Sequence, residues 1–270
     1  MRPKLIALDL DGTLMGKDRA IARRTRRAVQ HAMDQGCLVA IATGRAFSSA
    51  ARFAKDLELN APLICYQGAM IRDYRDGTTV YSDTIPLDSA REVIAFSRAR
   101  QLNVQVYLED DQSYADQMNS KIARLAEIAQ VPVSGVGNLA KWLDRPPLKF
   151  LFFVEQQEAA PELVRDLKSH FDGHLQIVRS WHQIVEVTGP DVSQGAALMR
   201  LAECLETPQL ATMAVGDQDN DVSMIAWAGL GVAMGDASPA AKAAADGIAP
   251  PLEDDGVAWA IERSGLDGAQ

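Results

Sequence analysis

The chain reads as an α/β protein, a doubly wound parallel-sheet core with an inserted α+β cap domain, and three observations predict it. Two short stretches near the start, residues 5–10 and 37–42, are apolar apart from Asp9 and flank an amphipathic segment at about 18–35 that ends at Gly36. Strands without polar alternation are buried on both faces, as in a parallel sheet covered by helices. The same rhythm returns late, with helical spacing at about 195–205, a strand at 210–215, and a helix and strand running through 231–233. Between them the texture changes. Stretches such as 103–107 and 149–154 alternate among helical segments, the pattern of a half-exposed antiparallel sheet with helices on one face.

Taken in order, residues 5–10 form the first strand, and the segment after the following turn forms a helix. Its arginines, Arg19, Arg23, Arg24, Arg26 and Arg27, alternate with Ile21, Ala28, Val29 and Ala32, so they read as a solvated face. The right-handed crossover rule makes the first two strands neighbours or near neighbours. The core is predicted over 1–82 and 188–270, and the insert over 83–187.

Composition narrows the function classes. Hydrophobic residues at 47% and charged residues at 23% match a globular chain and exclude disordered, collagenous and coiled-coil classes. Asp plus Glu total 36 against 27 Lys plus Arg, a net charge of −9, so the field repels polyanions and neither nucleic acid nor a membrane surface is predicted as a partner. No apolar stretch approaches the roughly 18 residues of a membrane span, and none resembles a secretory signal. Cys37, Cys65 and Cys204 are odd in number, lack Cys-x-x-Cys spacing and sit among apolar neighbours. Buried thiols in a reducing cytoplasm are expected.

The chemistry gathers at strand ends. Asp9-Leu10-Asp11-Gly12-Thr13 follows the first strand, Thr43-Gly44-Arg45 the second, and Gly216-Asp217-Gln218-Asp219-Asn220-Asp221 the late one. Open α/β sheets bind ligands at the carboxyl ends of their strands. Carboxylates gathered there repel one another, and a hard divalent cation such as Mg²⁺ relieves the repulsion. Thr43 and Gly44 offer a hydroxyl and a backbone that an anion can approach closely. Any one cluster has a turn or helix-cap explanation; three at the ends of one sheet's strands point to a site.

In this order and spacing the motifs resemble those of the haloacid dehalogenase-like phosphatases. The continuation Gly231-Val232-Ala233-Met234-Gly235, with Lys242 and Asp246 beyond it, is similar to the Cof-type subfamily, which carries a type IIB cap between its second and third motifs. The resemblance covers the whole chain. It implies a Mg²⁺-dependent phosphatase of small phosphorylated metabolites, of the sugar phosphate or phosphorylated cofactor class. Asp9 would be the nucleophile and form an aspartyl-phosphate, and Asp11 the acid and then the base. Asp9, Asp11 (through its carbonyl), Asp217 and Asp221 would form or orient the metal shell. Thr43, Gly44, Arg45, Gln194, Asn220 and Lys242 would meet phosphate or substrate. Two positions depart from the pattern. The family places a lysine where this chain has Gln194, and Asn-Gly-Ala where it has Gln67-Gly68-Ala69. Lys242 is the candidate replacement cation. The loss of a lysine keeps open a protein that binds phosphorylated ligands with weak or no turnover, and a phosphomutase would use the same intermediate. Oligomeric state is not legible.

Weaker signals read as structure. Residues 135–140 match Gly-x-Gly-x-x-Ala but are expected to be a loop, because prolines bracket them. His170 and His174 share a helix face only if the helix passes Asp172-Gly173, a turn signal, so no zinc site is expected. Trp181 and His182 are expected to pack or to face the site, and Glu109-Asp110-Asp111 to form a solvated turn.

Overall fold

A computed structural model describes residues 2–16, 18–156, 158–171 and 173–266. The backbone divides into two compact units, one of residues 1–44, 50–80 and 193–270, the other of 45–49 and 81–192.

The first unit opens with β1 (Leu5–Leu8), α1 (Arg23–Asp34), β2 (Leu38–Ile41) and α2 (Phe47–Asp56), then the short strands β3 (Leu63–Cys65), β4 (Met70–Arg72) and β5 (Thr79–Ser82). The chain passes through α3 (Leu87–Ala99), β6 (Asn103–Tyr107), β7 (Ser113–Ala115), α4 (Ser120–Ala129), β8 (Val133–Gly135), α5 (Leu139–Trp142), β9 (Lys149–Phe153), α6 (Ala159–Phe171), β10 (Gln176–Trp181) and β11 (Ile184–Thr188). It closes with α7 (Gln194–Cys204), β12 (Thr212–Gly216), α8 (Val222–Trp227), β13 (Leu230–Ala233), α9 (Pro239–Ala244), β14 (Gly247–Ile248) and α10 (Gly256–Ile261).

The core sheet has the order β14-β13-β12-β1-β2, and every pair in it is parallel. β1 and β12 are buried along their whole length, as uninterrupted apolar runs require. Helix α1 packs on β2 and α10, while α8 packs on β12, β13, α7 and α9. The arginine-rich face of α1 is solvated, and Thr25, Ala28, Val29 and Ala32 are its buried side. The helix starts at Arg23, later than its periodicity predicts. Asp18 accepts the Ala20 N–H in a local turn, and Arg19 is left-handed at φ 58°, so helical geometry cannot begin earlier. β12 likewise starts at Thr212, because residues 209–211 make a 3₁₀ turn in which Leu210 is exposed.

The three-stranded sheet β3-β4-β5 was not legible. Its strands of three or four residues are too short to show a period. A parallel bridge from Ala42 to Ile64 continues the β2 edge into β3.

The second unit holds a six-stranded sheet, β10-β11-β9-β6-β7-β8. It is mixed, with a parallel β7–β8 pair, where an antiparallel sheet was expected. Nor are β6 and β9 half exposed. Val104, Val106, Phe150 and Phe152 join α3, α5 and α6 in one apolar cluster, while α4 packs on β6 and β9 and Gln105 Nε2 donates to the Ile122 carbonyl, covering the opposite face. That face buries Lys149 and Glu186 as an ion pair.

Other expectations divide. Cys204 is exposed, although Cys37 and Cys65 are buried; it is the last residue of α7 and is not among that helix's buried residues. Gly135 closes a strand and residues 139–142 form a single helical turn, too short for a dinucleotide fingerprint. Helix α6 stops at Phe171, so His174 does not share its face, and Asp172 lies outside the described residues. Trp181 is 49% exposed, against the expectation that it packs. The turn at 109–111 is bonded throughout: Glu109 to Ser82, Asp110 to Tyr114 and Arg145, and Asp111 to the Ser48 N–H.

Candidate active site

Asp9 lies one residue beyond β1, and its N–H still donates to the Val215 carbonyl at 2.9 Å, which fixes it against the end of β12. The chain then reverses, with Met15 N–H bonded to the Leu10 carbonyl and Gly12 N–H to that of Met15. Gly12 has φ +91°, and a Cβ there would sit 2.4 Å from Asp217 Oδ2. Only glycine satisfies both conditions.

Asp217 follows β12. Its carboxylate accepts from Thr13 Oγ1 at 3.2 Å and from Gln218 Nε2 at 2.6 Å. Asp221 lies beneath the β12 end, where a Cβ on Gly216 would come within 2.5 Å of it. Its Oδ2 accepts the N–H groups of Asp217 and Gln218, both at 2.9 Å, and its Oδ1 accepts Asn220 Nδ2 at 2.9 Å.

One carboxylate oxygen from each of Asp9, Asp217 and Asp221 falls within 4.8 Å of the other two, and all three residues are buried. Burial raises Asp9 well above the ordinary carboxylate range, and Asp221, Asp217 and Asp11 raise it further. Burial pushes Asp217 up to about 6, against the lowering effect of the Gln218 and Thr13 bonds. Asp221 is pushed to about 7, first by burial and then by Asp217. Ionising such a cluster is costly without a positive partner. Its donors are all hard oxygens, the set that fits Mg²⁺.

The remaining predicted residues divide. Thr43 is buried just beyond β2, the neighbour of β1, with its N–H on the Ile64 carbonyl and its own carbonyl receiving the Gln67 N–H. Gly44 follows it. Gln194 opens α7 and is buried, with Nε2 toward Gln67 Oε1 at 3.5 Å and a side-chain bond to Asp221. Asp11 is exposed but adds to the charge on Asp9 and Asp217. Arg45 belongs to the 45–49 segment of the second unit, where it donates to Ser49 Oγ at 3.0 Å. Lys242 is half-buried on α9. That helix is anchored near the site by the Ser238 N–H, which donates to the Asp217 carbonyl.

Three contributors were not singled out from sequence, and the contact of a fourth residue, Gln67, was not foreseen. Thr13 and Gln218 hold Asp217, and Gln218 forms a capping box with Asp221, readable from their three-residue spacing. Asp236 raises Asp217, and the signal of a carboxylate shortly after an apolar strand would have found it. Gln67 touches Gln194 across 127 residues of sequence, a contact no local pattern reveals.

Comparison with known proteins identifies the family. Residues 6–261 match the family model described as haloacid dehalogenase-like hydrolase. The chain is 29% identical over 261 residues to the 5-amino-6-(5-phospho-D-ribitylamino)uracil phosphatase YitU of Bacillus subtilis, covering 95% of this chain and 96% of that one. It is also 29% identical to the pyridoxal phosphate phosphatase YbhA of Escherichia coli, over 91% and 93% of the two chains. The crystal structure of TM0651 from Thermotoga maritima superposes with a TM-score of 0.83 at 27% identity, covering 97% of each chain.

Proposed function

The chain belongs to the haloacid dehalogenase-like hydrolases and is a phosphatase, and from that premise we propose that it hydrolyses small phosphorylated metabolites through an aspartyl-phosphate on Asp9. The observation that carries the reading is the buried meeting of Asp9, Asp217 and Asp221 at the carboxyl edge of the core sheet. A sugar phosphate or phosphorylated cofactor is the substrate class, in keeping with relatives named for a phosphoribityl pyrimidine and for pyridoxal phosphate.

In the proposed reaction an Asp9 carboxylate oxygen attacks phosphorus, the phosphorus–oxygen bond to the leaving group breaks, and Asp11 gives that oxygen its proton. Asp11, now ionised, takes a proton from water as the water attacks the acyl phosphate, releasing phosphate and regenerating Asp9. Thr43 and the Gly44 N–H hold phosphate oxygens, with Arg45, Asn220 and Lys242 as further contacts. Asp9, Asp217 and the Asp11 carbonyl would hold Mg²⁺, with Asp221 orienting that set, and the bound ion would supply positive charge that offsets the repulsion of carboxylate and phosphate. No described helix is long and apolar enough to cross a membrane. The odd count of cysteines without Cys-x-x-Cys spacing is in keeping with action in the cytoplasm.

The test is release of phosphate from an aryl phosphate and a metabolite panel with and without Mg²⁺. Asp9→Asn, which cannot form an acyl phosphate, is expected to fall to background. Undiminished turnover by that variant overturns the mechanism. Gln194 in place of a lysine favours one second reading, a binder of phosphorylated ligands with weak turnover, which saturable phosphate binding without hydrolysis would establish.

A further inference from the structure

Gln194 is 1% exposed, and its Nε2 is committed to Gln67 and to Asp221. Asn220 likewise turns its Nδ2 to Asp221 Oδ1 at 2.9 Å. Planar amide geometry places each carbonyl oxygen only about 2.2 Å beyond its nitrogen. Both oxygens, Gln194 Oε1 and Asn220 Oδ1, are buried with no hydrogen-bond partner among the described residues. Buried acceptors are nearly always paired, so two orphans beside one carboxylate call for a partner, either a hydrogen-bond donor or a cation.

The charge count points the same way. Asp9, Asp11, Asp217 and Asp221 carry four negative charges when ionised, and a divalent cation cancels two. The N-terminus of α7 contributes about half a positive charge, while Arg45 and Lys242, the proposed phosphate contacts, are assigned to the substrate. A phosphate ester then adds its own anion. We propose that a monovalent cation of the potassium or sodium type binds beside Asp221 on Gln194 Oε1 and Asn220 Oδ1, supplying the charge that a lysine at position 194 would carry. Carbonyl oxygens are the ligands that replace the hydration shell of such an ion.

The segment facing Gln194 is shaped for this arrangement. Tyr66, Gln67 and Gly68 are left-handed in succession, at φ 53°, 61° and 103°, a conformation that costs energy at the two non-glycine positions. The Gln67 backbone is tied to the Thr43 carbonyl, and its side-chain Oε1 accepts from Gln194 Nε2 at 3.5 Å, which leaves Gln194 Oε1 without a partner among the described residues.

The ion's kinetic role rests on the proposed phosphatase function, whereas its binding does not. At constant ionic strength, choline chloride is exchanged for KCl, NaCl or LiCl, with saturating Mg²⁺ throughout. The readouts are the thermal midpoint and kcat/KM on an aryl phosphate. Saturable stabilisation by K⁺ or Na⁺ is expected, with at least a tenfold rise in kcat/KM, equivalent to about 1.4 kcal/mol. Gln194→Lys is expected to lose the ion response and to match the ion-loaded protein, and Gln194→Leu to lose the response while remaining folded. Mg²⁺-dependent turnover with no difference between choline and K⁺ in either readout overturns the inference and leaves the phosphatase reading intact. Ion-specific stabilisation without turnover in any metal supports the site and overturns the phosphatase reading. A hundredfold loss in Lys242→Ala, with no ion response in the parent, assigns the charge to Lys242 and also overturns the inference.

Discussion

At the carboxyl edge of the core sheet, Asp9, Asp217 and Asp221 are buried together, and the main forces on them are burial and one another. On the insert sheet, Lys149 and Glu186 are equally buried but oppositely charged, with side chains 3% and 5% exposed and paired. The Lys149 ammonium also lies 4.9 Å from the centre of the Tyr107 ring, and Tyr107 Oη donates to Gln105 Oε1 at 2.8 Å. In the insert pair the opposite charges balance. The core cluster is incomplete until something positive joins it, and that is what separates a binding site from internal scaffolding.

Breaking the insert pair is the largest stability effect expected. Lys149→Met leaves Glu186 charged and buried without its partner, a loss of about 3–5 kcal/mol. Lys149→Met/Glu186→Leu removes both charges and is expected to recover most of that loss by urea denaturation. If the single and double variants are equally unstable, the pair is not the source of the cost.

The core is expected to show the opposite response to charge. In chelator, Asp217 and Asp221 titrate in the folded protein at about 6 and about 7, against roughly 4 when unfolded. Between those values the folded state binds more protons than the unfolded state, so stability falls as pH rises from about 4 to about 7. Asp221→Asn lacks one titrating group. Its stability relative to the parent is therefore expected to climb across that window, whatever constant cost the lost acceptors impose. Saturating Mg²⁺ should flatten the parent's decline. A relative stability that is level with pH would show that the carboxylates are not forced together.

This contrast explains what the sequence could and could not reveal. Asp9, Thr43 and Asp217 were legible because each follows an unbroken apolar strand, so chain position alone puts them at one sheet edge. Lys149 was not, because a lysine heading an alternating strand reads as a solvent-facing residue unless a partner 37 positions away is known to cover it. The same holds for Gln67 and Gln194. Each departs from the family pattern in the sequence, but their contact is tertiary. Local signals also misplaced the start of α1, where a side-chain turn at Asp18 outcompeted the apolar period, and missed β3 to β5, which are too short to carry a period.

The smallest effect sharpens the comparison most, because it sets one hydrogen bond in each cluster against the other. Thr13 Oγ1 donates to the Asp217 carboxylate and holds its pKa down, whereas Tyr107 donates to a neutral amide and is itself kept protonated by burial. A bond to a charged acceptor is worth about 1.5–3 kcal/mol and a neutral one about 1 kcal/mol. Thr13→Val is therefore expected to cost more at pH 8, where Asp217 is ionised, than at pH 4.5, where it carries its proton. Tyr107→Phe is expected to cost the same at both. The measurement is urea denaturation of the two variants in chelator at each pH. A Thr13→Val cost that does not change with pH would mean that Asp217 is already neutral at pH 8, and the core cluster would then resemble the insert cluster in carrying no unbalanced charge.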